Sequence, residues 1–156
     1  MKNGAVLMRA VVQRVCEATV IVEKKLISRI GKGLLVFLGV ERGDAEEDAD
    51  YLLEKITHLR IFEDAEQKMN LSVSDIGGQI LVVSQFTLLA DCRKGRRPSF
   101  TEAEEPLRAK TLYEYFLSSA SGRMKGVASG EFQASMKVEL VNDGPVTMIL
   151  DSRRRS

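Results

Sequence analysis

Two short segments hold the groups that could do chemistry in this chain, Ser84-Gln85-Phe86-Thr87-Leu88 and Asn142-Asp143-Gly144-Pro145-Val146-Thr147. Each places polar groups and backbone amides at the end of an apolar, strand-like run, where a small ester can be held. Backbone N–H groups near Phe86 and Thr87 can point at a carbonyl oxygen, and one preorganised donor of this kind contributes roughly 10²–10³ in rate. Thr87 adds a hydroxyl, but no base is in view to make it a nucleophile, so it is assigned positioning. A strand-end threonine packing its methyl is the competing reading. Gly144-Pro145 offers a different device. A proline in a tight turn is where cis peptide bonds occur, and a rigid main-chain corner beside a glycine can act as a wall. With the amino group and the ester of a substrate fixed, D and L side chains leave Cα in different directions; one of them meets the wall, and glycine passes. An ordinary hairpin turn fits the same dipeptide, and the residues alone leave both open.

The chain is as informative in what it lacks. Its single histidine, His58, falls on the polar side of a helical stretch, so a Ser-His-Asp or Cys-His nucleophile has no base. One histidine with the isolated Cys16 and Cys92 does not make a zinc site, and no metal or other cofactor is expected. There is no GxxxxGK[ST] phosphate loop, and Gly31-Lys32-Gly33 reads as a turn between strands. Any catalysis must therefore rest on backbone donors, hydroxyls or groups of the substrate itself.

Composition sets the frame. A chain of 156 residues fits one domain with a proper core, and its 44% apolar and 29% charged residues are ordinary for a globular protein. No run approaches the ~20 apolar residues that a membrane span needs. Cys16 and Cys92 lie far apart with no secretory leader, so both are read as free thiols in a reducing cytoplasm. Residues 1–7 are weakly patterned and read as an extension without function, with Met8 as the natural initiator. The net charge of +1 points to no partner, but its distribution is uneven. Arg93, Lys94, Arg96 and Arg97 crowd one loop, and Arg153, Arg154 and Arg155 form a basic tail within 152–156. Either cluster can be a solvated surface; the loop gains meaning from its place just after the first motif.

The elements that must position these groups follow from periodicity. Residues 9–15, 18–23 and 26–30 alternate or are β-branched, and a continuous apolar run covers Leu34 to Val40. Asp44 as N-cap with Glu47 three residues on predicts a helix from about 45 to 58, its stripe made of Ala49, Leu52, Leu53, Ile56 and Leu59. Ile80 to Val83 reads as a buried strand that delivers Ser84 to Thr87 at its carboxyl end. Pro106 opens a second helix that buries Leu107, Leu112, Tyr113, Phe116 and Leu117 and ends near Ser121-Gly122. Met136, Val138 and Leu140, then Val146, Met148 and Leu150, predict a terminal hairpin with Gly144-Pro145 at its corner. The sum is a single α+β domain, rich in antiparallel strands, with both helices on one side of the sheets.

Val12-Gln13-Arg14-Val15, Gly33-Leu34-Leu35-Val36, Met69-Asn70-Leu71, Val82-Val83-Ser84-Gln85-Phe86-Thr87-Leu88, Arg97-Pro98-Ser99-Phe100 and Val141-Asn142-Asp143-Gly144-Pro145-Val146-Thr147, in that order, resemble the D-aminoacyl-tRNA deacylase family. The likeness runs from about Met8 to Leu150, which makes 8–151 the functional domain and leaves 152–156 outside it. The resemblance implies a barrel-like β/β/α layered fold with two main helices and a cytoplasmic homodimer whose active site lies at the subunit interface. It implies hydrolysis of the ester of D-aminoacyl-tRNA, and of glycine mischarged onto alanine tRNA, without metal or nucleotide. By motif, Ser84, Gln85, Phe86 and Thr87 line the pocket that takes the 3′-terminal adenosine and its ester. Gly144-Pro145 is the cross-subunit element that excludes L-amino acids, with Asn142, Asp143 and Thr147 supporting it and Arg14 bracing it. The tRNA 2′-hydroxyl assists the water. The basic loop Arg93 to Arg97 is the candidate phosphate contact. Two rivals stand beside this reading: a noncatalytic RNA-binding β-domain, for which no platform of exposed aromatics is evident, and a deacylase with a trans Gly-Pro and relaxed chirality.

Overall fold

A computed structural model describes residues 8–152. The expectations that fall on residues 1–7 and on Arg153, Arg154 and Arg155 lie outside these. The described chain runs β1 Arg9–Val22, β2 Lys25–Ile30, β3 Gly33–Gly39, α1 Glu46–His58, β4 Phe62–Glu63, β5 Met69–Leu71 and β6 Gln79–Ser84. A one-turn 3-10 helix Phe86–Leu89, then α2 Pro106–Arg123, β7 Val127–Ser129 and β8 Lys137–Asp151 complete it.

The main sheet is ordered β2-β1-β3-β6-β7, with β8 on the other edge of β1. Most pairs are antiparallel, but β6 lies parallel to both β3 and β7. The Ser28 hydroxyl donates to the Ser129 carbonyl at 2.8 Å, tying β2 toward β7 and giving the sheet its nearly closed, barrel-like form. The alternation read over 9–15 and 18–23 belongs to one long strand. Between Val15 and Glu17, β1 advances two residues while β8 advances one, from Asn142 to Val141. Such an extra residue is a β-bulge, and it reverses which face the following side chains take. Ala10 and Val12 accordingly join one core, whereas Ala18, Val20 and Val22 join another.

The first core lies under the helices, where Leu52, Leu53 and Ile56 of α1 and Leu112, Tyr113, Phe116 and Ala120 of α2 pack on Val36, Leu38, Ile80 and Val82. Both helices cover one face, as expected. The opposite face of β3 and β6, with Leu35, Leu81 and Val83, packs inside the curled strands. Having both faces buried explains why β3 and β6 read as unbroken apolar runs.

Three local expectations are corrected. Asp44 does not cap α1: its carboxylate accepts from the Glu41 N–H at 2.6 Å, while Asp48 accepts from Ala45 N–H at 2.8 Å at the helix start. Leu107 is 76% exposed, because the buried stripe of α2 passes through Ala109, Leu112, Phe116 and Ala120 and Leu107 lies well off it. There is no terminal hairpin, since residues on both sides of Gly144-Pro145 belong to β8 and pair with β1 along its length.

Candidate active site

The parallel pair β3 and β6 ends at one rim, and the first motif begins there. Gln85 N–H donates to the Leu38 carbonyl at 2.8 Å, after which the chain turns into the 3-10 helix, with Leu88 N–H on the Gln85 carbonyl at 3.2 Å. The turn fits tightly against β3 because Gly39 has no side chain; a Cβ there would stand 2.5 Å from Leu89 Cδ2. Arg9 Nη1 holds the far end, donating to the Leu88 carbonyl at 3.0 Å. In so short a helix the amides of Phe86 and Thr87 come before the first intrahelical bond, so the turn offers them no acceptor. Gln85 Nε2 donates to Thr87 Oγ1 at 3.0 Å, fixing the hydroxyl beside those amides. Phe86 and Thr87 are exposed, Ser84 and Gln85 half-buried.

These four residues form one wall of a cleft of about 450 Å³. A second wall is Ala103, Glu104, Pro106 and Ala109, and a third is Phe132, Gln133, Ala134 and Met136. Sequence reasoning missed both of the latter. Phe132 sits in a polar stretch with no period to flag it, and its place is fixed by Tyr113, whose ring centroid is 5.8 Å away. The Tyr113 hydroxyl donates to the Val82 carbonyl at 2.9 Å, and burial pushes this phenol up to about 12.

Glu104 is the ionisable side chain of the lining. Its side chain is 7% exposed and accepts from Gly43 N–H at 3.2 Å, Glu105 N–H at 3.0 Å and Arg108 Nε at 3.0 Å. Burial would raise its carboxyl, but these donors outweigh burial and hold it below the usual range. A carboxylate so held is a poor proton acceptor. His58 lies away from the cleft, with Nδ1 2.7 Å from a Glu54 carboxylate oxygen on α1. Among the described residues no three His, Cys, Asp or Glu side chains are grouped so as to hold a metal ion.

The second motif is a wide bulge in β8. Asn142 pairs with Val15 and Thr147 with Gln13, so Asp143 to Val146 stand opposite Arg14 alone. Proline inside a sheet is confined to such places, where no ladder N–H is needed. Arg14 is 6% exposed and spans the gap, donating from Nε to the Asp143 carbonyl at 2.9 Å and from Nη1 to the Ile61 carbonyl at 2.7 Å. The Asn142 side chain replaces lost ladder bonds, accepting from Val146 N–H at 2.7 Å and donating to Thr147 Oγ1 at 3.2 Å. Gly144 adopts φ +132°, and a Cβ there would stand 2.8 Å from Val146 Cγ2 and 2.9 Å from Arg14 Nη2. The Gly144-Pro145 peptide is cis. Both residues are exposed, and neither lines the chain's own cleft. One chain therefore does not bring the two motifs together.

The basic loop projects beside the cleft from a base where Asp91 and Ser99 exchange backbone hydrogen bonds of 2.7 and 2.8 Å. Its four cations are not equivalent. Arg93 donates from Nε and Nη2 to both Asp91 carboxylate oxygens, at 2.9 and 2.7 Å, and these bonds hold that carboxyl down at about 2. Lys94, Arg96 and Arg97 are exposed around it.

Residues 11–151 match the family described as D-Tyr-tRNA(Tyr) deacylase. A D-aminoacyl-tRNA deacylase of Syntrophus aciditrophicus is 66% identical over 147 residues, covering 94% of this chain and 99% of that protein. One of Thermotoga petrophila is 58% identical over the same shares. Among solved structures, a c-Myc DNA unwinding element binding protein superposes with a TM-score of 0.87 at 40% identity, over 91% of this chain and 97% of its own. A probable eukaryotic D-amino acid tRNA deacylase shares the fold, with a TM-score of 0.80 at 19% identity over 94% and 100% of the two chains.

Proposed function

The chain belongs to the D-Tyr-tRNA(Tyr) deacylase family and hydrolyses the ester joining a D-amino acid to tRNA, and from that premise we propose how its own residues do so. The working unit is residues 8–151, in the cytoplasm. The ester enters the cleft at Ser84 to Thr87, and its carbonyl oxygen lies against the amides of Phe86 and Thr87. Water adds to the carbonyl carbon, the oxyanion is held by those two donors, and the 3′-oxygen of the terminal adenosine leaves with a proton. The 2′-hydroxyl of the same ribose orients the water and relays the proton, so the substrate supplies the group that the cleft lacks. Each donor is worth roughly 10²–10³ in rate, enough for an ester that is already activated. Thr87, held by Gln85, positions without attacking.

Handedness is judged by main chain. In a homodimer, Gly144 and Pro145 of one protomer enter the partner's cleft and close it against L side chains. D-residues pass, and so does glycine carried by alanine tRNA. Arg14, Asn142 and Thr147 keep the bulge from yielding, and Lys94, Arg96 and Arg97 meet phosphates of the acceptor end.

The observation that carries this reading is the pair of amides left without intrahelical acceptors on a cleft whose one carboxylate is already saturated. Incubation with matched D- and L-tyrosyl-tRNA tests it: D-tyrosine is released and L-tyrosine retained. Release of both refutes the chiral wall.

A further inference from the structure

The reaction leaves Met69-Asn70-Leu71 without a task, and the fold ties this segment to the brace of the bulge. Arg14 holds the Asp143 carbonyl only as firmly as its own guanidinium is held, and its second bond, from Nη1 at 2.7 Å, goes to the Ile61 carbonyl. The bulge is therefore fixed in turn by the main chain between α1 and β4.

That stretch has little ladder to hold it. β4 and β5 pair only as Phe62 with Leu71 and Glu63 with Met69, so Asn70 is an extra residue that faces no partner in β4. An isolated two-stranded ribbon is marginal in water at best, and this one is two rungs long. Side chains supply the rest. Asp64 Oδ1 closes the turn, accepting from Glu66 and Lys68 N–H at 2.8 and 3.1 Å, and beyond β5 Ser72 N–H donates to Asp75 Oδ2 at 2.8 Å. At the entry Arg60 grips the bulged residue, donating from Nε to the Asn70 carbonyl at 3.1 Å and from Nη2 to Asn70 Oδ1. A planar guanidinium on two oxygens of one residue fixes direction as well as distance, which an ammonium does not do. Phe62, 1% exposed, anchors the other side of Ile61 in the core. Ile61 is thus pinned on both sides, with its carbonyl aimed at Arg14.

We propose that Arg60 and Asn70 form a clamp that positions Arg14, and through it the Gly144-Pro145 wall, so that residues remote from the ester take part in reading its handedness. This rests on the chiral-wall reading and deepens it. Gly144 lies close against Arg14, where a Cβ would stand 2.9 Å from Nη2, so a shift of the guanidinium is passed directly to the wall. Arg60 is exposed and Asn70 half-buried, and the fold as a whole loses little without them. What they control is the aim of one buried carbonyl. Neither touches substrate; both are positioning residues.

The test uses the full chain and two readouts, hydrogen exchange of the Arg14 Nε–H followed by NMR and release of D- and L-tyrosine from matched tyrosyl-tRNAs. Arg60→Ala speeds exchange at Arg14 and raises L-tyrosine release above the wild type, each by roughly tenfold, as the loss of a hydrogen bond predicts. Release of D-tyrosine is held. Arg60→Lys, which keeps the charge without the fork, behaves like Arg60→Ala, and Asn70→Ala, which keeps the carbonyl, falls between it and the wild type. Because the clamp acts through Arg14, adding Arg60→Ala to Arg14→Ala leaves L-tyrosine release as it is in Arg14→Ala alone. Unchanged exchange at Arg14 overturns the proposal. So does L-tyrosyl-tRNA spared by Arg60→Ala but cleaved by Arg14→Ala, or a further rise in the double variant. Melting temperatures and the exchange of the Val36 amide in the core separate a moved guanidinium from a loosened fold, and Arg60→Lys covers the case in which Ala does not fold. Faster exchange at Arg14 with L-tyrosyl-tRNA spared by Arg60→Ala and Arg14→Ala alike counts against the chiral wall and not against the clamp.

Discussion

Glu104 is where chemistry and stability can be told apart at the level of one residue. It stands in the cleft wall, yet its carboxylate is occupied by two amides and Arg108 and is held below its ordinary 4.5. A carboxyl lowered on folding contributes stability that is fully present above its unfolded value and is lost as pH falls through the folded one. Glu104→Gln should therefore lower the melting temperature at pH 7, and the gap to the wild type should narrow as pH falls below the ordinary carboxyl value and through the lowered one. Turnover should persist with the same pH profile from 5 to 8. A general base contributes roughly 10²–10⁴, so a hundredfold drop in kcat with the pH profile altered would make Glu104 the base and displace the substrate's hydroxyl from that role. Its place was not legible in the sequence, where Glu102, Glu104 and Glu105 look alike. Only the approach of Gly43 and Arg108 singles it out.

At the level of elements, the basic hairpin and the bulge each make a claim of their own. Arg93 is engaged by Asp91 in two charge-assisted hydrogen bonds, whereas Arg96 is exposed at the tip. Arg96→Ala should weaken tRNA binding and reduce the slope of log K against log salt by about one, and Arg93→Ala should change it less. Equal losses at both positions, or an unchanged slope for Arg96→Ala, would count against this division. The strand-end motif and both helices were legible because local patterns specify them: a β-branched apolar run for β6, a 3.6-residue stripe for α1, a proline at the first turn of α2. The bulge was not. Asn-Asp-Gly-Pro has the composition of a turn, and what makes it a bulge is the pairing of β8 with β1 on either side of it. The nearest fixed point is Arg14, 129 residues away along the chain, and no local pattern carries that information.

For the whole molecule, the two motifs that stand out in sequence are apart in one chain, and the account requires a second copy to unite them. Arg14 gives access to that requirement. Arg14→Ala leaves the buried carbonyl of Ile61 and the partly buried carbonyl of Asp143 without their donor, at a cost of roughly 1–3 kcal/mol for the buried one and less for the other, and slackens the bulge so that L-tyrosyl-tRNA begins to be cleaved. Ala109→Trp fills the cleft from α2 and silences it while leaving the bulge untouched. The decisive measurement is release of L-tyrosine by dimers mixed from these two variants, set against Arg14→Ala dimers alone. Every working cleft in the mixed dimer belongs to an Arg14→Ala chain but faces an intact bulge, so L-tyrosyl-tRNA should again be spared while D-tyrosyl-tRNA is cleaved. If the mixed dimers leak L-tyrosine as freely as Arg14→Ala dimers do, the wall does not come from the partner, and the account of how this protein reads chirality is wrong.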